Sequence, residues 1–133
     1  AYIDIYLGGF AGYSEGSNFS NILLNNIGGV TILGSETGGN IFAGGFVGYA
    51  GDKSYFSQID LKNIGSVQAD GKTFVKHAGA GGFAGAINGT NSFEKISLIN
   101  FGDIIAKRGY VWTPDGIASD KLLMLDLVDL LEF

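Results

Sequence analysis

A glycine-rich unit of six residues, present three times, constrains the fold of this chain more than any other feature. It reads Gly-Gly-Phe-Ala-Gly-Tyr at residues 8–13, Gly-Gly-Phe-Val-Gly-Tyr at 44–49 and Gly-Gly-Phe-Ala-Gly-Ala at 81–86. The copies begin at residues 8, 44 and 81, so successive copies are 36 and 37 residues apart. A fixed period of this length indicates a repeat architecture, in which each repeat packs against its neighbours.

The remainder of each repeat also aligns, at a spacing of 37 residues. The aligned apolar positions are Phe19, Phe56 and Phe93; Ile22, Ile59 and Ile96; Leu24, Leu61 and Leu98; and Val30, Val67 and Ile104. Within one repeat these side chains are two or three residues apart. A spacing of two is the side-chain period of a strand, whereas a spacing of three keeps side chains inward only where the chain turns a corner. We therefore predict an all-β fold, a right-handed parallel β-helix of about three coils of 36–37 residues.

Composition and the local sequence set the expected domain boundaries. Glycine accounts for 23 of the 133 residues and proline for one, which suits tight turns between uninterrupted strands. We expect β-solenoid repeats over residues 1–113, with coils at 8–43, 44–80 and 81–113 and a partial strand at 1–7. Ser119 and Asp120 precede a leucine-rich run, so we predict a helical C-terminal cap over residues 114–133. A final strand or a partner-binding segment is the alternative for that run.

Two kinds of side chain recur at fixed repeat positions and predict structural ladders. Phenylalanines are expected to stack in the core, and asparagines to form an amide ladder that satisfies buried polar groups at one corner. The predicted ladder residues are Phe10, Phe46, Phe83, Phe19, Phe56, Phe93, Asn26, Asn63 and Asn100. The alternative for the asparagines is that they are simply good turn formers.

The sequence contains no pattern that marks a catalytic, cofactor or metal site. The Gly-Gly-Phe unit lacks the lysine and hydroxyl of a phosphate loop, there is no cysteine, and His77 is the single histidine. Asp60 and Glu94 are too few to indicate the acid/base pair of a polysaccharide-cleaving enzyme. We therefore predict that the chain is not an enzyme and that it holds no cofactor or metal.

Charge and hydropathy narrow the expected partners. The net charge is −5 without a basic stripe, which argues against nucleic acid as a partner. No apolar run approaches the roughly 20 residues needed to cross a bilayer, so no transmembrane segment is expected.

Five residues near one loop edge combine aromatic and polar groups: Tyr13, Tyr49, Asp52, Lys53 and Tyr55. Such a combination suits contact with carbohydrate or protein, and these five residues are the candidate ligand contacts.

The repeated unit resembles the GLUG motif, with phenylalanine in place of leucine and a longer period. The Phe-x-x-Ile-x-Leu-x-Asn-Ile-Gly-x-Val pattern that follows resembles repeats in bacterial filamentous-haemagglutinin-like and autotransporter adhesins. The resemblance covers roughly residues 8–106. It implies a secreted or surface-exposed parallel β-helix, part of a longer passenger, and it supplies no catalytic residues.

The leading functional hypothesis is a structural and adhesive segment of a bacterial surface or secreted protein, which binds a glycan or protein on another cell. The alternatives are a glycan-acting enzyme or accessory module on the same fold, and a self-assembling structural repeat. The strand edge that begins at residue 2 would permit end-to-end self-association. The rest of a longer parent chain is a further expected partner.

Overall fold

The computed structural model describes residues 3–35, 38–71 and 77–107, and within these ranges the chain forms strands and no helix. The strands are β1 (Ile3–Gly8), β2 (Ala11–Ser14), β3 (Asn18–Ser35), β4 (Gly38–Gly44), β5 (Val47–Ala50), β6 (Tyr55–Gly71), β7 (His77–Gly81), β8 (Ala84–Ile87), β9 (Ser92–Phe101) and β10 (Ile104–Lys107). The predicted helical cap at 114–133 lies outside the described residues.

The strands form three sheets whose pairings are all parallel. One sheet has the order β1-β4-β7, the second has the order β2-β5-β8, and in the third β6 pairs with β3 on one side and with β9 and β10 on the other. Phe19 pairs with Phe56 and Phe56 with Phe93, so the 37-residue spacing in the sequence is the register between strands. The prediction of an all-β chain with parallel strands is confirmed, and this arrangement is compatible with a β-solenoid.

Left-handed backbone at two columns of residues explains two of the spacings of three. Gln58 has φ of 54° and Asn63 has φ of 55°, and the equivalent residues of the other repeats, Asn21, Lys95, Asn26 and Asn100, lie between 57° and 63°. Gln58 separates Phe56 from Ile59, and Asn63 separates Leu61 from Ile64. All four apolar side chains are buried. A single left-handed residue in each interval restores the inward direction that a straight strand would lose.

Phenylalanine rings fill the core in two columns. Phe46 stacks between Phe10 and Phe83 at centroid distances of 4.9 and 5.1 Å, and Phe56 stacks between Phe19 and Phe93 at 5.2 and 5.1 Å. The two columns meet edge to face. Aromatic pairs of this kind contribute about 0.5–1.5 kcal/mol beyond the area they bury. Phe10 departs from the expected core position, since it is 51% exposed at the end of its column.

Glycines allow the first two sheets to pack main chain against main chain. A Cβ atom on Gly48 would lie 2.6 Å from the amide nitrogen of Leu7, and one on Gly85 would lie 2.6 Å from the amide nitrogen of Ala43. No side chain fits in this layer. The third glycine of the repeated unit is therefore required by close approach between sheets.

Candidate functional site

Three tyrosine rings form a cluster on the first two sheets, which we call the tyrosine face: Tyr6, Tyr13 and Tyr49. Tyr13 and Tyr49 are direct partners on β2 and β5, and their rings stack with a centroid distance of 5.4 Å and an interplanar angle of 14°. Tyr6, on β1, lies 5.8 Å from Tyr13 and 5.1 Å from Tyr49. Tyr13 is 48% exposed, so the face presents an accessible aromatic surface.

The buried ring of Phe42 supports the tyrosine face from below. Phe42 is the register partner of Tyr6, and the two rings stack at 5.8 Å with an interplanar angle of 4°. In the third repeat the corresponding positions are Gly79 and Ala86, which pair with Phe42 and Tyr49. The aromatic surface therefore covers two repeats and ends at the third.

Each hydroxyl group of the face has a polar partner. Tyr6 Oη donates to Asp4 Oδ2 at 3.1 Å and Tyr13 Oη donates to Glu15 Oε1 at 2.5 Å, while Asn88 Nδ2 donates to Tyr49 Oη at 3.0 Å. Partial burial, aided by the Asp4 hydrogen bond, raises the pKa of Tyr6 to about 12. The hydrogen bond to Glu15 is the main reason that the pKa of Tyr13 is raised. Tyr6 and Tyr13 therefore stay neutral at physiological pH.

The other three candidate contacts have different surroundings. Asp52 Oδ1 accepts a hydrogen bond from the backbone of Thr90 at 2.7 Å, and the backbone nitrogen of Lys53 donates to the carbonyl of Thr90 at 2.7 Å. Asp52 and Lys53 thus join the turns of successive repeats. Tyr55 is 58% exposed at the start of β6, and no ring contact among the described residues joins it to Tyr13 or Tyr49.

Sequence reasoning missed Tyr6 as a member of the cluster. The signal was available, because Tyr6 and Phe42 are both aromatic and lie 36 residues apart, at equivalent repeat positions. The third repeat has glycine there, so the position does not stand out as a repeated residue. Of the five candidates, the structure brings Tyr13 and Tyr49 together and adds Tyr6 to them.

The repeated asparagines, which we call the asparagine column (Asn26, Asn63 and Asn100), lie exposed at one corner. Asn100 Nδ2 donates to Asn63 Oδ1 at 2.6 Å, and Asn63 Nδ2 donates to Asn25 Oδ1 at 2.9 Å. These side chains are exposed rather than buried, and each residue of the column has a left-handed backbone conformation. The column borders an open groove of about 460 Å³.

A second open groove, of about 430 Å³, runs across the outer side of the third sheet. Its lining contains one carboxylate, that of Asp60, together with the amine of Lys95 and the amides of Asn21 and Gln58. Glu94 is not part of this lining. Acid/base cleavage of a glycosidic bond uses two carboxyl groups that flank the bond, and this groove provides one.

The part of the chain that the structure describes gives little support to a metal site or to a catalytic role of His77. No group of three metal-ligating side chains occurs within residues 3–35, 38–71 and 77–107. His77 Nδ1 lies 3.0 Å from Asn40 Oδ1, the equivalent position of the preceding repeat. Those same ranges contain no helix long and apolar enough to cross a membrane.

Comparison of the chain with family models, with curated proteins and with solved structures gives no match.

Proposed function

We propose that this chain is a structural and adhesive repeat segment of a bacterial surface or secreted protein, related to the GLUG-motif adhesins. In this proposal the three sheets wind as a right-handed β-helix, and residues 114–133 form its helical cap. The in-register parallel pairing at 36–37 residues supports the solenoid part of the proposal. The resemblance of the repeated unit supports the adhesin part.

The tyrosine face is the observation that carries the proposal. Tyr13 offers an exposed ring, Tyr49 and Phe42 hold the rings beneath it, and Asp4 and Glu15 place hydrogen-bond acceptors at its border. A flat aromatic surface next to acceptors suits the apolar face and the hydroxyl groups of a sugar ring. We therefore propose a glycan as the ligand of this face.

The scaffold would hold this face rigid. Tyr13 and Tyr49 lie on strands that are hydrogen-bonded along their length, rather than on loops. Their hydroxyl groups are also bonded, to Glu15 and Asn88, which limits rotation of the rings. A rigid aromatic surface loses little conformational entropy when it binds, which favours recognition by a small contact area.

Binding to an array of printed neutral and acidic oligosaccharides would test the proposal. We expect Tyr13→Ala to weaken binding to the recognised glycan by roughly tenfold or more, because it removes the exposed ring. Tyr55→Ala is the matched control, since Tyr55 is 58% exposed against 48% for Tyr13 but lies outside the face. A failure to bind any printed glycan, or an equal loss in both variants, would contradict the proposal.

A further inference from the structure

The turn between β8 and β9 carries the one Asn-Gly pair of the chain, Asn88 and Gly89. All nine asparagines of the sequence lie in the described ranges, and each of the other eight precedes a residue with a side chain. Asn88, Gly89 and Thr90 are exposed, and none of them belongs to a strand. The backbone nitrogen of glycine is the least hindered nucleophile that can follow an asparagine, because glycine has no Cβ atom.

Few hydrogen bonds restrain the Asn88–Gly89 pair. Gly89 has φ of 79°, a turn conformation that glycine adopts without strain. Among the residues that the structure describes, no hydrogen bond uses the backbone N–H of Gly89. Within the same set, the side-chain amide of Asn88 has one hydrogen bond, from Nδ2 to Tyr49 Oη at 3.0 Å. Breaking that bond frees the side chain to turn toward the nitrogen of Gly89.

Asn91, three residues later in the same turn, is restrained at each group that could react. Its Oδ1 accepts a hydrogen bond from the backbone nitrogen of Ser54 at 3.0 Å, and its Nδ2 donates to the carbonyl of Asn88 at 3.0 Å. The backbone nitrogen of the next residue, Ser92, donates to the carbonyl of Ser54 at 2.9 Å. The fold therefore leaves Asn88 able to react and holds Asn91 in place.

We propose that Asn88 is a site of spontaneous deamidation in the folded protein. The backbone nitrogen of Gly89 attacks Cγ of Asn88, and its proton passes through solvent to Nδ2, which leaves as ammonia. The product is a five-membered succinimide ring. Water then adds to one of the two ring carbonyl carbons, the bond from that carbon to the Gly89 nitrogen breaks, and the nitrogen regains a proton.

Opening of the ring at Cγ gives aspartate, whereas opening at the main-chain carbonyl gives isoaspartate. In either case one water is consumed, one ammonia is released, and an amide becomes a carboxyl group. The reaction needs no enzyme, oxidant or cofactor, since adjacent groups of one chain react with each other. This proposal does not depend on the glycan-binding proposal.

Both products would change the contacts around the turn. A carboxylate at position 88 cannot donate to Tyr49 Oη, so the border of the tyrosine face loses a donor. The new charge would also lie near Asp52, because a Cβ atom built on Gly89 would be 2.6 Å from Asp52 Oδ1. Isoaspartate adds one carbon to the main chain, which displaces the backbone nitrogen of Thr90 from its 2.7 Å hydrogen bond to Asp52.

Incubation of the folded 133-residue chain at mildly alkaline pH, followed by peptide mass spectrometry, tests the proposal. We expect Asn88 to deamidate at least roughly tenfold faster than Asn91, whose hydrogen bonds must break first. Asn88→Gln should abolish the modification at this position, because attack on the longer side chain would have to close a six-membered ring. Deamidation of Asn88 in the urea-unfolded chain but not in the folded chain would overturn the proposal, since the fold would then protect it.

Ser92→Gly is the matched control, because it places a glycine after Asn91 as well. Ser92 is exposed, and its backbone nitrogen keeps its hydrogen bond to Ser54 in this variant. Asn88 should still react at least roughly tenfold faster than Asn91. Equal rates at the two asparagines would overturn the proposal, since the following residue alone would then set the rate.

Urea unfolding of the isoaspartate form, isolated by chromatography, tests the effect on the turn. Its midpoint should fall below that of Asn88→Asp, which carries the same charge on a main chain of normal length. An equal midpoint would overturn the proposed displacement of Thr90 from Asp52.

Discussion

A methyl group placed on Gly65 would lie 1.7 Å from the carbonyl oxygen of Gly28, one repeat earlier. The same group placed on Gly28 itself would meet no atom within 4 Å. These two glycines occupy equivalent repeat positions, so the difference arises from the neighbouring repeat alone. Close contact along the stack, rather than backbone conformation, requires glycine at this position.

Gly65→Ala should therefore destabilise the protein strongly. The clash is with backbone, which cannot move without breaking the pairing of β3 with β6, so we expect a loss of about 3 kcal/mol or more. Gly28→Ala should change stability by less than about 1 kcal/mol. Urea unfolding of both variants measures the difference. Similar midpoints for the two variants would contradict the contact seen here.

The asparagine column should depend on backbone conformation more than on its amides. Asn63 has φ of 55°, where alanine is strained by about 1–2 kcal/mol and glycine is not. We expect Asn63→Ala to be the less stable variant by at least about 1 kcal/mol relative to Asn63→Gly. Chemical denaturation compares the two. Equal destabilisation would show instead that the amide bonds to Asn25 and Asn100 dominate.

The cost of removing a core ring should depend on its place in the column. Phe46 is 0% exposed between two rings, so Phe46→Ala should cost about 3–5 kcal/mol. Phe10 contacts its column on one side and is half exposed, so Phe10→Ala should cost less than half as much. Urea unfolding of both variants at the same protein concentration measures the two costs. Equal destabilisation by Phe46→Ala and Phe10→Ala would contradict the exposed position of Phe10 at the end of its column.

Alkaline pH should weaken the fold through Tyr6. Its pKa is raised from 10.0 to about 12 in the folded protein, so between these values the unfolded chain loses the phenolic proton and the folded chain keeps it. Stability that Tyr6 contributes is therefore present below pH 10 and is lost as the pH rises toward 12. Thermal melts across this range should show a shallower decline for Tyr6→Phe. Identical declines for wild type and variant would contradict this assignment.

The sequence predicted the strand class and the parallel pairing because both depend on a strict repeat. Phe19, Phe56 and Phe93 recur at 37 residues, and a stack in register is the arrangement that brings all three together. Features that differ between repeats were harder to predict. Tyr6 was missed because its column continues with Phe42 and Gly79. The hydrogen bond from the backbone of Thr90 to Asp52 has no sequence signature.

The asparagine column was assigned the wrong environment for a related physical reason. Repetition of one residue type indicates a shared local requirement, but it does not distinguish a buried amide from a left-handed corner. At the other left-handed corner the residue type changes along the column, because Asn21, Gln58 and Lys95 adopt the same conformation with three different side chains. The left-handed conformation is therefore compatible with several residue types. The residue type alone does not show which side of the sheet its side chain faces.

The main-chain contact at Gly48 and Gly85 also has a thermodynamic consequence. Unfolding this layer exposes peptide groups rather than hydrocarbon, and exposed polar surface lowers the heat capacity of unfolding whereas exposed apolar surface raises it. The heat capacity increment of this protein should therefore fall below the usual value of about 12–15 cal/mol/K per residue. Calorimetry would then record a flatter stability curve, in which the free energy of unfolding changes less with temperature.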